Sequence, residues 1–282
     1  MSAWQAIVLG IVQGLTEFAP VSSSGHLILV PWLFNWTFFL NHPALNKTFD
    51  VALHMGTFVG AVAYFWRDIL RYLGAWIRSI RKRSATTIDE RVAWFLVIGT
   101  IPGAVTGAAL EDVIEKKLGQ PWLIAIMLAV FGVILYLVDR SSRRTREIKD
   151  LRLSDAVLIG GAQALALQPG VSRSGVTITA ARGLGLTREA AARFSFLLSL
   201  PIIGGAGILK SAKLLKNGLP PHTAGPFLWG LLASAVTGFL VIWAILAYVR
   251  RRDFAPFVVY RLAMAALVLG LIVAGVRPAS GL

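Results

Sequence analysis

The chain has 282 residues, of which 56% are hydrophobic and only 15% are charged. Soluble domains carry about a quarter charged residues, so this composition excludes an ordinary soluble protein and indicates a polytopic membrane protein. The absence of cysteine excludes disulfides, thiolate catalysis and cysteine-bound zinc. The formal net charge of +14 is explained by basic residues that flank membrane spans, so no nucleic-acid partner is predicted.

The first apolar region, at about 3–35, is interrupted by a polar stretch from Pro20 to Gly25. Each side of the interruption is about a dozen residues long, too short to cross a hydrocarbon core of roughly 30 Å as a straight helix. We therefore predict a re-entrant helix–loop–helix pair, whose irregular backbone must be surrounded by protein or water. The chain start lacks the basic residues and cleavage site of a signal peptide, so this segment is expected to be retained.

A second broken region, at about 154–186, is interrupted in the same way from Pro169 to Gly175. The remaining apolar segments are long enough to span a membrane as continuous helices. We predict six spans, at about 48–67, 90–111, 121–139, 189–210, 226–249 and 254–276. The predicted fold is an all-α integral membrane protein with six transmembrane helices and two re-entrant pairs.

Basic residues are concentrated in three loops, at 67–91, 140–152 and 250–252. With six spans and two re-entrant pairs, all three loops fall on one face, which the positive-inside rule identifies as cytoplasmic. Both termini then lie outside, the first pair enters from outside and the second enters from inside. This is an inverted-topology repeat, and we interpret the basic loops as topology signals.

Two sequence echoes also indicate a repeat. Val-Ser-Ser-Ser-Gly at 21–25 recurs as Val-Ser-Arg-Ser-Gly at 171–175, and Ala-Val-Thr-Gly at 104–107 recurs at 235–238. The chain is then a single membrane domain, 1–282, made of the first repeat half 1–139, the basic cytoplasmic loop 140–152 and the second repeat half 153–282.

The first polar loop carries groups that suit chemistry on a phosphate. Gln13 and Glu17 are four residues apart, so they share one face of the first half-helix. His26 lies in the first turn of the next half-helix. The backbone N–H groups at the start of that helix form a natural anion seat. The loop and this seat consist of Ser22, Ser23, Ser24 and Gly25.

The second polar loop places Arg173 where the first has Ser23, and its planar guanidinium suits a phosphate group. Neighbouring candidates for phosphate binding are Ser172, Ser174, Gly175 and Thr177. If the loops face each other, a carboxylate, an imidazole, hydroxyls, an arginine and two helix N-termini come together. This set of groups suits a phosphate ester or anhydride.

Each of these residues also has a structural interpretation. Serines before a helix usually cap it, and Glu17 could be a satisfied structural carboxylate with Arg173 as its counter-ion. An ionisable group in an apolar half-helix is nevertheless a functional candidate. His54 either packs in its span or lines the cavity, and Asp50 either supports the site from behind or binds a metal.

At these residues the chain resembles the bacterial undecaprenyl-diphosphatase family, also called bacitracin-resistance proteins. The resemblance covers essentially the whole length, and together its motifs are highly specific. The runs that carry it are 14–18, 22–26 and 169–175, with support from 48–51, 65–67, 188–191 and 194–198. The family often has Glu at both ends of the four-residue acidic spacing, and here the first is Gln13, which shifts acid–base work to Glu17 or His26.

The resemblance implies removal of the terminal phosphate from a C55 polyprenyl diphosphate at the outer side of the bacterial inner membrane, which recycles the lipid carrier for wall polymers. It also implies a divalent cation, Mg²⁺ or Ca²⁺. The cation would bridge phosphate oxygens near Glu17, with Asp50 as a further candidate ligand. Arg173 and the loop N–H groups would hold the diphosphate.

The nucleophile is left open by the sequence. Ser23 could attack after activation by Glu17 or His26, or His26 could activate a water molecule. Transport is an alternative function, because inverted repeats with broken helices also build transporters that flip lipids or carry small anions. Membrane lipids and the lipid substrate are the expected partners. Oligomeric state is left open, with a homodimer as one option.

Overall fold

A computed structural model describes residues 1–36, 43–142, 145–217 and 223–280. Within these residues the protein is all-α, with no named strand and a single isolated bridge between Arg146 and Leu186. Its helices are α1 (Ala3–Phe18), α2 (Ser23–Phe34), α3 (Pro43–Lys82), α4 (Ile88–Lys117), α5 (Pro121–Ser141), α6 (Leu153–Ala164), α7 (Arg173–Gly183), α8 (Arg188–Asn217), α9 (Ala224–Val249) and α10 (Ala255–Val273).

Six of the described helices, α3, α4, α5, α8, α9 and α10, are long and apolar enough to cross a membrane. Each overlaps one of the six spans expected from hydropathy, so the prediction of six spans is confirmed. The chain is a multi-pass membrane protein.

The helix α3 is longer than the sequence indicated. It runs for 40 residues with a kink at Phe65, so most of the predicted basic loop at 67–91 is helical. The extension is held because its buried face packs on α4, where the Trp76 and Trp94 rings meet edge to face and Trp94 Nε1 donates to Ser79 Oγ at 2.9 Å. Its arginines lie on the exposed face, so the charge argument for topology is unaffected.

The broken regions form two pairs of short helices, α1 with α2 and α6 with α7. At 16 and 12 residues, α1 and α2 are roughly 24 and 18 Å long, shorter than the membrane core. In both pairs the second helix begins after a serine with φ of 76°, Ser22 in the first and Ser172 in the second. This sparsely populated conformation at matching positions is a shared backbone feature of the two sequence echoes.

The two sequence halves are interleaved. The helix α1 packs on α9 of the second half, and α6 packs on α4 of the first half. A β-carbon on Gly10 would clash with the carbonyl oxygen of Gly230, and one on Gly160 would clash with that of Gly99. Gly99 and Gly230 each stand five residues before the start of the repeated Ala-Val-Thr-Gly run. The same close helix crossing therefore occurs twice, each time between the two halves.

The ends of α2 and α7 that lie farthest from the polar loops are at opposite ends of the helix bundle. At the end of α2, Trp32 Nε1 donates to Pro278 O, beyond the end of α10. At the end of α7, Arg182 Nε donates to Asp139 Oδ1, at the end of α5. The helices α5 and α10 are neighbours. They run antiparallel, because the start of α5 packs with the second half of α10, whereas Gly132 further along α5 contacts Arg261 in the first half of α10. These two ends are therefore opposite. An inverted repeat requires this arrangement, while re-entry into the membrane and the inverted topology stay predictions.

Candidate active site

The tips of the two short-helix pairs are in contact. The backbone N–H of Gly170 donates to Ser22 Oγ at 2.9 Å, and Ser174 Oγ donates to the carbonyl oxygen of Ala19 at 2.9 Å. Each bond joins residues about 150 positions apart in the chain. The facing loops expected from the repeat are therefore present as a single polar centre.

Ser22 and Ser172 act as matched helix caps. Ser22 Oγ accepts from Gly25 N at 3.4 Å, and Ser172 Oγ accepts from Gly175 N at 3.1 Å. Both caps are almost fully buried. The hydroxyls of Ser24 and Ser174 lie next to the caps, at 3.5 and 3.2 Å. The structural interpretation of the capping serines is thus supported.

Glu17 lies at the centre of the polar cluster and is only 5% exposed. Ser23 Oγ donates to its Oε2 at 2.6 Å, and Gln13 Nε2 donates to the same oxygen at 3.0 Å. Arg173 Nη2 donates to Oε1 at 2.7 Å. The structure thus brings together the carboxylate, the hydroxyl and the guanidinium that the sequence singled out, from opposite halves of the chain.

Two buried atoms in this cluster have no hydrogen-bond partner among the described residues, Arg173 Nη1 and Gln13 Oε1. Buried polar groups in native proteins are nearly always satisfied, so each such atom needs an explanation. Both atoms lie beside the Glu17 carboxylate and the Ser23 hydroxyl. An anionic ligand would satisfy the N–H donor, and its counter-ion would satisfy the amide oxygen.

His26 does not hydrogen-bond to Glu17 or Ser23. Its Nδ1 lies 2.7 Å from the carbonyl oxygen of Ser22, its Nε2 lies 2.7 Å from Tyr260 Oη, and the two rings are stacked. A carbonyl only accepts, so Nδ1 carries a proton, and in the neutral ring Nε2 accepts from the tyrosine. The helical position four residues after Ser22 directs His26 to α10 instead of to the carboxylate. Its acid–base role stays a prediction.

His54 is the histidine that faces the carboxylate. Its Nε2 lies 3.6 Å from Glu17 Oε2, and its Nδ1 donates to the backbone carbonyl of Asp50 at 2.7 Å. Of the two interpretations left open by the sequence, the structure supports a place in the polar centre. Asp50 contributes its carbonyl to this arrangement, through the four-residue spacing on one helix.

Thr177 stands behind the second loop. Its hydroxyl bonds with the carbonyl oxygen of Arg173 at 2.7 Å and with Ser195 Oγ at 2.6 Å, and it is fully buried. The predicted phosphate-binding hydroxyl is therefore engaged in anchoring the helix that carries Arg173. Ser174, whose hydroxyl bonds to Ala19, has the same anchoring role.

Arg261 is a buried residue of this centre to which the sequence analysis assigned no role. It is fully buried in α10 and has no carboxylate partner among the described residues. Its guanidinium donates at 2.9 Å to each of three carbonyl oxygens, those of Pro20 in the first loop, Gly170 in the second and Leu128 in α5. It therefore fastens both loops to the bundle. A lone arginine in an apolar span was the available signal.

A divalent cation was expected near Glu17 and Asp50. Within the described residues no group of three or more His, Cys, Asp and Glu side chains could hold a metal, so no complete protein cage is present. Magnesium is often held by one or two carboxylates together with substrate phosphates. The Glu17 carboxylate and the unpartnered Gln13 Oε1 fit such a partial site.

These features define a class: a multi-pass membrane protein in which a buried carboxylate, together with the serine and the arginine bonded to it, suits catalysis on a phosphate group. The family model for bacitracin resistance protein BacA matches residues 6–267. The chain belongs to that family, as the sequence motifs predicted.

Curated relatives are similar over almost the whole chain. A protein of Desulforudis audaxviator is 49% identical over 95% of this chain and 97% of its own length. A protein of Pelotomaculum thermopropionicum is 48% identical over 93% of this chain and 94% of its own length. A protein of Thermomicrobium roseum is 45% identical over 98% of this chain and 100% of its own length. All three are named undecaprenyl-diphosphatase.

Proposed function

We propose that this protein hydrolyses undecaprenyl diphosphate to undecaprenyl phosphate and inorganic phosphate. The observation that carries the proposal is the unpartnered Nη1 of Arg173, buried beside Glu17 and Ser23. A guanidinium with one side fixed on a carboxylate and the other side open is suited to bind a phosphate oxygen. The names of the relatives supply the lipid carrier as the substrate.

In the mechanism we favour, Ser23 Oγ attacks the terminal phosphorus and Glu17 Oε2 takes the hydroxyl proton along their 2.6 Å bond. The bond between phosphorus and the bridging oxygen breaks, and undecaprenyl phosphate leaves. Water then attacks the phosphoserine, giving inorganic phosphate and restoring the serine. Arg173 and the loop N–H groups stabilise the charge on the transferred phosphoryl group. Direct attack by water is the competing route.

For the divalent cation, Mg²⁺ or Ca²⁺, we propose Glu17 and Gln13 Oε1 as protein ligands. The rest of its coordination would come from the diphosphate and water. When bound, the cation would neutralise phosphate charge. Asp50 remains a candidate metal ligand. Its backbone carbonyl also accepts a hydrogen bond from His54 and so orients that ring.

We place the protein in the bacterial inner membrane, with the active site open to the periplasm. The support is the concentration of basic residues on one predicted face. Recycling of the lipid carrier and resistance to bacitracin follow from this activity and location.

The test is phosphate release from a C55 polyprenyl diphosphate by the purified protein. Ser23→Ala is expected to lose about 10³-fold or more in kcat, because the attacking hydroxyl is gone. Ser24→Ala is the matched control, since its hydroxyl contacts only the Ser22 cap in the described structure, and it should stay within about tenfold. A chelator should abolish activity, and added Mg²⁺ or Ca²⁺ should restore it.

Two outcomes would contradict the proposal. Absence of phosphate release by the wild-type protein with metal present would favour the transport alternative. An active Ser23→Ala variant that transfers solvent oxygen into phosphate would remove the serine mechanism and favour direct attack by water. Trapping a phosphorylated Ser23 would support the serine mechanism.

A further inference from the structure

A basic cavity of about 670 Å³ lies where α9 ends and α10 begins. Because α9 and α10 are both candidate spans, the turn between them lies at a membrane surface. The cavity is lined by Arg188, Tyr248, Arg251, Arg252, Pro256 and Val259, among others. None of these residues belongs to the Glu17 cluster.

One wall of the cavity is a rigidly held arginine. Arg188 Nε lies 3.0 Å from both carboxylate oxygens of Asp139, and its Nη2 donates to Oδ2 at 2.8 Å. Arg182 binds the same carboxylate, so two cations share one negative charge. In the part of the chain that the structure describes, Arg188 Nη1 has no hydrogen-bond partner. The guanidinium is thus preorganised and keeps net positive charge.

The cavity also carries two exposed arginines. The neighbouring Arg250 is not part of the lining and pairs with Glu189 at 2.8 Å. Neither Arg251 nor Arg252 has an ion-pair partner among the residues described. The acidic lining residue, Asp253, accepts from the backbone N–H of Ala255 at the start of α10. The cavity therefore holds more positive than negative charge.

The remaining lining is apolar and continues toward the lipid. Pro256 lies in the first turn of α10, and Val259 is one turn further along and 66% exposed. A basic pocket that opens onto an apolar helix face at a membrane surface matches a lipid headgroup with its attached chains. A soluble anion would make no favourable contact with the apolar side of the cavity.

We propose that this cavity binds the phosphate group of an anionic membrane phospholipid. The guanidinium groups of Arg188, Arg251 and Arg252 would contact the phosphate oxygens. The lipid chains would run along α10 past Val259. The site gives the basic turn a specific ligand in addition to its effect on topology, and it does not depend on the proposed hydrolysis.

The test is native mass spectrometry of the purified protein with phosphatidylglycerol, with zwitterionic phosphatidylcholine as the comparison lipid. Arg251→Gln with Arg252→Gln should weaken phosphatidylglycerol binding roughly tenfold or more. The matched control is Arg78→Gln with Arg81→Gln, which removes the same charge from the exposed face of α3. This control should bind like the wild type, and both variants should release phosphate normally in detergent.

Thermal unfolding gives a second measurement. Phosphatidylglycerol should raise the Tm of the wild type and of the α3 control by the same amount, and should raise the Tm of the cavity variant less. Equal loss of lipid in both double variants would reduce the effect to general surface charge and overturn the site. Displacement of phosphatidylglycerol by inorganic phosphate would identify a soluble anion as the ligand and would also overturn it.

Discussion

Arg173 carries out two tasks with a single guanidinium. One nitrogen neutralises the buried Glu17 carboxylate at 2.7 Å, and the other is buried without a partner among the described residues. Breaking a buried ion pair leaves an uncompensated charge, which is strongly unfavourable. A substitution that keeps the positive charge but loses the planar fork can therefore separate the two tasks.

Arg173→Lys is expected to lower kcat by about 10²-fold, because one ammonium group cannot hold Glu17 and the transferred phosphoryl group in the same geometry. The Tm should change little, since the charge on Glu17 is still balanced. Phosphate release and thermal unfolding would be measured on the same preparation. Wild-type kcat in this variant would mean that the open side of Arg173 does not touch the substrate.

Arg261 binds the backbone of both loops through the carbonyl oxygens of Pro20 and Gly170. Arg261→Lys should lower kcat by roughly 10²-fold, since the shorter reach of one ammonium group cannot fasten Pro20, Gly170 and α5 together. Arg71→Lys is the control, because Arg71 pairs with Asp89 on the surface. The loop displacement would be read from a lower kcat with KM affected less. An equal loss in the control would show a general effect of arginine replacement.

The close helix crossings determine the positions of the two loops. The helix α1 crosses α9 at Gly10 and Gly230, and α6 crosses α4 at Gly160 and Gly99, with no room for a side chain. Close packing of small residues is the usual way in which membrane helices associate. These contacts draw each broken pair into the other half of the chain, so the two loop tips meet at the centre.

Gly160→Ala is expected to destabilise the protein by about 1 to 3 kcal/mol, because its β-carbon would strike the backbone of Gly99 and not a movable side chain. Gly161→Ala is the matched neighbour control, since a β-carbon there meets nothing within 4 Å. Denaturant or thermal unfolding in detergent would compare the two. Equal stability would show that the α4–α6 crossing can separate without cost.

The chain lacks cysteine, so single introduced cysteines can report the membrane topology of the whole protein without background labelling. Five candidate spans, α4, α5, α8, α9 and α10, separate Ser84 from Ser280. With a re-entrant α6–α7 pair, the two residues lie on opposite sides. If α6 and α7 together crossed the membrane once, the number of crossings would be even, and the two residues would lie on the same side.

In intact cells, an impermeant maleimide should label Ser280→Cys, whereas Ser84→Cys should react only after permeabilisation. Both positions are exposed in the structure, so lack of reaction reports the membrane barrier and not burial. Labelling of both from the same side would remove the re-entrant pair and with it the inverted repeat.

Sequence reasoning located the six spans, both interruptions and the residues Glu17, Ser23 and Arg173, because each departs from an apolar background. It did not resolve which histidine meets the carboxylate. His26 is closer in sequence to the serine loop, yet its ring turns to Tyr260, while His54 from α3 approaches Glu17. Both outcomes depend on helices that are distant in the chain.

Local patterns therefore determined the class of protein, its spans and its family, since hydropathy, charge and motifs are properties of short segments. Three features became visible only in the folded protein: Arg261 binds the backbone of two loops, Ser22 and Ser172 cap helices, and α3 continues to Lys82. The physical reason is that hydrogen bonds and packing join groups far apart in the sequence, and no local pattern records which partner each group finds.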